Sequence, residues 1–284
     1  MPNENRYVID PESAAEFARL LKQERLFTTA MGGLLPEQPM QFRHVLDLAC
    51  GPGGWALDLA QQAPGADVVG IDISQVMIEY ANAQAVVSQL SNAHFEVGDI
   101  TEGLPFADGS FDLVNARYIV GFMRRDAWPE LLKECLRVLE PGGTIRLTEM
   151  ETAETNAHSY ETLNGLLSQA MYRRGMAFSE VRLGATAMLR HFLQQAGCEH
   201  IQEHPSLINY SYGAESHQEQ YQNNAIIFKL TRPFILKFGL INPEDYDRWY
   251  ELALKEMRSE DFCAVSFMNT AWGTKPTSAS SSYP

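Results

Sequence analysis

Between residues 42 and 150, short apolar runs alternate with longer amphipathic stretches. The runs His44 to Leu48, Asp67 to Ile71, His94 to Val97, Phe111 to Asn115 and Thr144 to Met150 predict strands. Gly54 to Gln62, Ser74 to Leu90 and Asp126 to Leu139 predict the helices between them. Strands alternating with helices of this length form βαβ units, so an α/β fold around a mostly parallel sheet is expected. Such a sheet binds ligands beyond the carboxyl ends of its strands.

The flanks read differently. Asp10-Pro11-Glu12 is a helix start followed by apolar Phe17, Leu20, Leu21 and Phe27, and Gly32, Gly33, Pro36 and Pro39 then break the pattern. Residues 1–40 are therefore expected as an N-terminal helical appendage, and 41–275 as the main domain. Residues 152–183 form a helical insertion, with Leu163, Leu166, Leu167 and Met171 at helical spacing. A helix at Gly184 to Ala196 and a strand at Ile201 to Tyr212 follow. A second, mainly helical insertion covers 213–260, Phe262 to Trp272 is the last strand, and the serine-rich 276–284 is a disordered tail. The insertions hold Phe178, Tyr210, Tyr212, Tyr221, Phe228, Phe234, Phe238, Tyr246, Trp249 and Tyr250. They suit a lid over an apolar pocket, while core packing or a homodimer interface would use the same residues.

Composition narrows the function classes. The 36 acidic residues against 22 basic ones give a formal charge of −14 over 284 residues, which disfavours nucleic acid and anionic lipid as partners. Cys50, Cys135, Cys198 and Cys263 show no paired spacing and read as reduced thiols. No stretch approaches the roughly 20 apolar residues of a membrane span, and no signal segment opens the chain, so a cytoplasmic location is expected. The seven histidines form no ligand-like pair, so no metal site is expected.

The chemistry is concentrated in Val45-Leu46-Asp47-Leu48-Ala49-Cys50-Gly51-Pro52-Gly53-Gly54, an apolar strand running into a glycine-rich turn that opens a helix. Glycines let a ligand approach the backbone, and the helix start offers free amides. Gly51, Gly53 and Ala56, with Asp72 downstream, also satisfy the dinucleotide fingerprint. An NAD(P)-dependent oxidoreductase is thus one reading. Asp47 beneath the turn weighs against it, because a carboxylate there suits an ammonium-bearing ligand and repels pyrophosphate. Asp99 gives a second acid at a successive strand end, suited to an adenine amine as Asp72 is to ribose hydroxyls.

Leu104-Pro105-Phe106-Ala107-Asp108-Gly109-Ser110-Phe111-Asp112 and Glu140-Pro141-Gly142-Gly143 complete an ordered set of motifs. From about Val45 to Met150 the chain resembles the class I S-adenosylmethionine-dependent methyltransferases, in the small-molecule branch that includes the ubiquinone/menaquinone C-methyltransferases. The resemblance implies a Rossmann-like, seven-stranded, mostly parallel sheet with a reversed last strand, and helical lid insertions. It implies S-adenosyl-L-methionine as cofactor. Cys50, Gly51 and Gly53 would hold the methionine part, with Asp47 and the Asn115 backbone near its ammonium. Asp72 would take the ribose, Ile73 and Met77 would pack on the adenine, and Asp99 with Ile100 would meet the adenine amine. Pro52 stands where the family often has threonine.

Methyl transfer is an in-line displacement at an activated sulfonium, so the protein must chiefly align the acceptor and, where needed, remove a proton. Arg117, Tyr118 and Tyr172 are the candidates for a small, hydrophobic or aromatic substrate, and Glu149 and His158 for a catalytic base. A protein that binds the cofactor without transferring methyl is the remaining alternative.

Overall fold

The structure is a computed structural model that describes residues 8–10 and 12–277. Helix α1 (Ala14–Ala30) leads into β1 (His44–Leu48), α2 (Gly54–Gln62), β2 (Asp67–Asp72), α3 (Gln75–Val87) and β3 (Ala93–Val97). Then come β4 (Phe111–Arg117), α4 (Trp128–Val138), β5 (Leu139–Met150), β6 (Glu154–Thr155) and α5 (His158–Arg174). The chain continues through α6 (Ala185–Ala196), β7 (Glu199–Asn209), α7 (His217–Lys237), α8 (Pro243–Glu256) and β8 (Ala264–Thr274).

The sheet runs β3-β2-β1-β4-β5-β8, and β6 and β7 both pair with β8. Pairings from β3 to β5 are parallel, and β8 is antiparallel to β5, β6 and β7. The α/β architecture with a reversed last strand is therefore as expected. Among the described residues the sheet has eight strands instead of seven, because the two residues of β6 pair with the start of β8. β8 also lies two residues further along than Phe262 to Trp272 suggested. Pro141 and the two glycines after it loop out between Leu139 and Thr144, where the register with β4 shifts.

β1 and β4 are almost wholly buried, as central parallel strands covered on both faces must be. α2 and α3 cover one face through Trp55, Leu59 and Ile78; α4 and α6 cover the other through Trp128, Leu132 and Leu189. Helices α5, α7 and α8 build a separate core with α1, β7 and β8, around Tyr160, Tyr210, Phe228, Tyr246 and Phe262. The aromatics of 152–183 and 213–260 mostly serve that core, and Phe178 meets Trp128 edge-on and Phe192 at a tilt. α1 begins at Ala14, not at Asp10-Pro11-Glu12, because the Ser13 hydroxyl accepts from the Glu16 amide and caps it. Pro11 and the tail from 278 onward lie outside the described residues. Among the described residues no helix is long and apolar enough to cross a membrane.

Candidate active site

Strand order reverses between β1 and β4, and a cleft of about 390 Å³ opens there, at the carboxyl ends of the strands. One half is built by the turn after β1. The Gly51 amide donates to Asp72 Oδ2 at 2.9 Å and the Ser74 amide to Oδ1 at 2.9 Å, so the carboxylate ties the first turn to the second. Ser74 Oγ caps α3 by accepting from the Met77 amide. Gly53 has φ +80°, and a Cβ there would sit 2.8 Å from Ala81 and from the Phe95 ring. Only glycine lets this turn lie so close against α3 and β3.

Asp47, Cys50, Gly51, Asp72, Ile73, Met77, Asp99 and Ile100 all line the cleft. Asp99 Oδ1 accepts from both the amide and the hydroxyl of Thr101. Gly53 and Asn115 lie just behind the wall; the Asn115 side chain is fully buried and donates to Asp47 Oδ1 at 2.7 Å. Burial pushes the Asp47 carboxyl up to about 7, against the lowering influence of Arg117, Asn115 and Arg146. Burial also holds the Cys50 thiol well above its ordinary range, which removes it as a nucleophile at neutral pH.

The other half is formed by Arg117 at the end of β4, by Tyr118 and Phe122 after it, and by Arg19, Leu20, Gln23 and Glu24 from α1. Arg117 donates to Glu24 Oε2 at 2.7 Å, and burial of its guanidinium is outweighed by Glu24 and Asp47, so its charge is secured. Tyr118 is a non-glycine residue at φ +59°, held by a bond from its amide to the Thr148 carbonyl. Its hydroxyl meets the sulfurs of Met268 and Met31. Arg19 is pinned by two bonds to Glu16 and one to Asn223 of α7.

Three expected residues lie elsewhere. His158 stacks edge-on against Trp249 and faces a separate surface groove beside α8. Tyr172 receives the Arg125 guanidinium on its ring, 4.5 Å from the centroid. Glu149 is buried behind the cleft, where its Oε1 accepts from the Val120 amide at 3.0 Å and supports the turn after Tyr118. The α1 residues were missed as site residues because the helix was read only for its apolar positions. The four-residue repeats Arg19/Gln23 and Leu20/Glu24, which place these side chains on one face, were the available signal.

Burial lifts Glu149 to about 8. A carboxyl raised in the folded state gives stability that is fully present below its unfolded value near 4.5 and is lost as pH rises through 8. Asp47 contributes a similar loss through about 7. Glu149→Gln is therefore expected to flatten, without abolishing, the fall in unfolding free energy between pH 5 and pH 8.5. Urea titrations at both pH values check this; an undiminished fall in the variant would place the proton elsewhere.

Residues 45–143 match the family model described as a methyltransferase domain. The demethylmenaquinone methyltransferase of Lactococcus lactis is 39% identical over 102 residues, covering 36% of this chain and 39% of that protein. The chain spans 39 to 57% of the length of the first curated relatives it matches. Phosphoethanolamine N-methyltransferase 2 of Haemonchus contortus, solved with S-adenosyl-L-methionine, superposes with a TM-score of 0.50 at 17% identity. That match covers 91% of this chain and 52% of the other. The YcgJ protein of Bacillus subtilis superposes at 0.52 and 18% identity, over 90% and 99% of the two chains. At such identities the superpositions establish the fold.

Proposed function

We propose that this chain transfers the methyl group of S-adenosylmethionine to a small molecule, a reading supported by the match of residues 45–143 to the methyltransferase-domain family model and by the demethylmenaquinone methyltransferase relatives. The observation that carries the reading is the cleft itself: two acids, Asp72 and Asp99, stand at successive strand ends around a glycine cradle whose amide Gly51 already faces a carboxylate. The residues present fit the cofactor. Asp72 keeps lone pairs for ribose hydroxyls, Ile73 is half exposed and Met77 lies against the turn, apolar surfaces suited to an adenine. Asp99 and Ile100 close the far end, and Asp47 stands where the methionine part would lie, a carboxyl that a cationic ligand can draw into its ionised form.

When bound, the cofactor supplies a methyl group already activated by its sulfonium. The protein's own part is alignment, charge balance and exclusion of water. α1 closes the acceptor side, with Glu24 and Arg117 paired across it and Tyr118 between the cleft and the insertion core. The insertions lie outside the matched family segment. The acceptor is proposed to be a small hydrophobic or ring-bearing metabolite, in keeping with the named demethylmenaquinone relatives and the apolar surroundings of Tyr118. Asp47 beneath the turn favours this cationic cofactor over a nicotinamide dinucleotide, whose pyrophosphate it would repel.

The test is calorimetric titration with S-adenosylmethionine, its demethylated product and reduced nicotinamide dinucleotide, followed by assay of the demethylated product against a panel of phenols, quinols and amines. Micromolar binding of the first two and acceptor-dependent turnover are expected. Preferential nicotinamide binding would sink the reading, and cofactor binding without turnover on any acceptor would support the non-transferring alternative.

A further inference from the structure

Beneath the cleft, Asp47, Asn115 and Arg146 are register partners on three adjacent parallel strands, β1, β4 and β5. Their side chains form one polar row across the sheet, and each residue is at most 3% exposed. Arg146 Nη1 donates to Asn115 Oδ1 at 2.9 Å, and Asn115 Nδ2 donates to Asp47 Oδ1 at 2.7 Å. At the other end Arg146 Nε donates to Glu37, a buried carboxylate from the segment that joins α1 to β1. A guanidinium has donors only, so the Asn115 oxygen must face Arg146 and its NH2 must face Asp47.

We infer that Arg146, clamped by Glu37, is a positioning residue that fixes the amide of Asn115 and thereby prepares Asp47 to ionise when a cationic ligand enters the cleft. The inference rests on the reading of the cleft as an S-adenosylmethionine site. Without Arg146, Asn115 is free to turn its oxygen toward Asp47, which favours the protonated acid. The surrounding charges agree. Asp47 is faced by Arg117 from its own sheet, Glu24 from α1, Arg146 through Asn115, and the Cys50 thiol in the turn. With Glu37 included, three carboxylates, Asp47, Glu24 and Glu37, stand against two guanidiniums, Arg117 and Arg146. When all are ionised the group is one positive charge short. A proton on Asp47 makes up that charge in the ligand-free protein, in line with its elevation to about 7. A cationic ligand replaces the proton, which passes to the buffer.

The test is calorimetric titration with S-adenosylmethionine at pH 7 and pH 9, in buffers of different ionisation heat. It compares wild type with Asn115→Leu, which leaves Arg146 and Glu37 paired, and with the double variant Glu37→Leu/Arg146→Met, which removes that pair at similar volume. From Asp47 wild type is expected to release about half a proton at pH 7 and almost none at pH 9, on top of the proton exchange of the ligand's own α-amino group, which titrates at about 8 and is common to all the proteins compared. A rise of about one unit at Asp47 makes both variants bind about fivefold more weakly at pH 7 but within twofold of wild type at pH 9, with proton release from Asp47 at pH 7 approaching one. A merely structural role would weaken binding equally at both pH values, and that result overturns the inference. So does an Asn115→Leu protein that matches wild type at pH 7, because Arg146 would then act without the amide. Wild-type protein that fails to bind S-adenosylmethionine overturns the functional reading and this inference together, whereas binding with a pH-independent loss in the variants overturns this inference alone.

Discussion

Asp72→Ala is expected to weaken S-adenosylmethionine binding by about a hundredfold while the chain stays folded. Two contributions add. Hydrogen bonds to a charged group are worth about 1.5–3 kcal/mol each, and a carboxylate at the end of β2 offers its remaining lone pairs to two ribose hydroxyls. Losing both corresponds to about 3 kcal/mol or more, hence the factor. The second contribution is the turn, since Asp72 also accepts from the Gly51 and Ser74 amides and so sets the cradle that meets the methionine part. Asp72→Asn keeps one carbonyl acceptor and an intermediate affinity is expected of it. Calorimetry on the three proteins, with a thermal melt of each, measures both. A loss under about threefold for the alanine variant, with an unchanged melt, would show that Asp72 neither meets the ribose nor shapes the cradle.

That prediction was available from the sequence alone, because the glycine turn and the acid after the second strand are local signals. Periodicity in the chain is also local, so β1 to β5 and the helices between them fell close to their observed ranges. What was not legible depends on contacts between distant segments. Glu24 meets Arg117 across 93 positions, and Glu37 meets Arg146 across 109. Read in isolation, Glu24 and Glu37 are polar residues in an N-terminal appendage, and Arg146 is a charge in a strand that ought to be apolar. That last conflict was the available clue, because an arginine in the middle of a strand buried within the sheet must have a buried partner. His158 and Tyr172 lie away from the cleft for a different reason. Helical spacing says which residues share a face, but not whether that face meets the cleft or another element: α5 packs mainly against α8 and α7, and Tyr172 at its end packs beside Val120 and under Arg125.

Arg146→Met alone is expected to cost about 3–5 kcal/mol of unfolding free energy, the usual result of removing one partner of a buried ion pair. Arg146 is fully buried and the Glu37 side chain is 2% exposed, so the substitution strands a carboxylate out of water. Glu37→Leu/Arg146→Met is expected to recover most of that loss, because paired burial repays its desolvation only in part and two apolar side chains of similar volume carry no such penalty. The Glu37→Leu single variant should be as unstable as Arg146→Met, now with the guanidinium stranded. Urea denaturation of the four proteins closes the double-mutant cycle. A cost below about 1 kcal/mol for Arg146→Met would give this pair no more worth than a surface one. Stability and ligand binding then separate cleanly within one row of side chains. The double variant should be nearly as stable as wild type yet still bind poorly at pH 7, because what it lacks is the donor-only group that orients Asn115 toward Asp47.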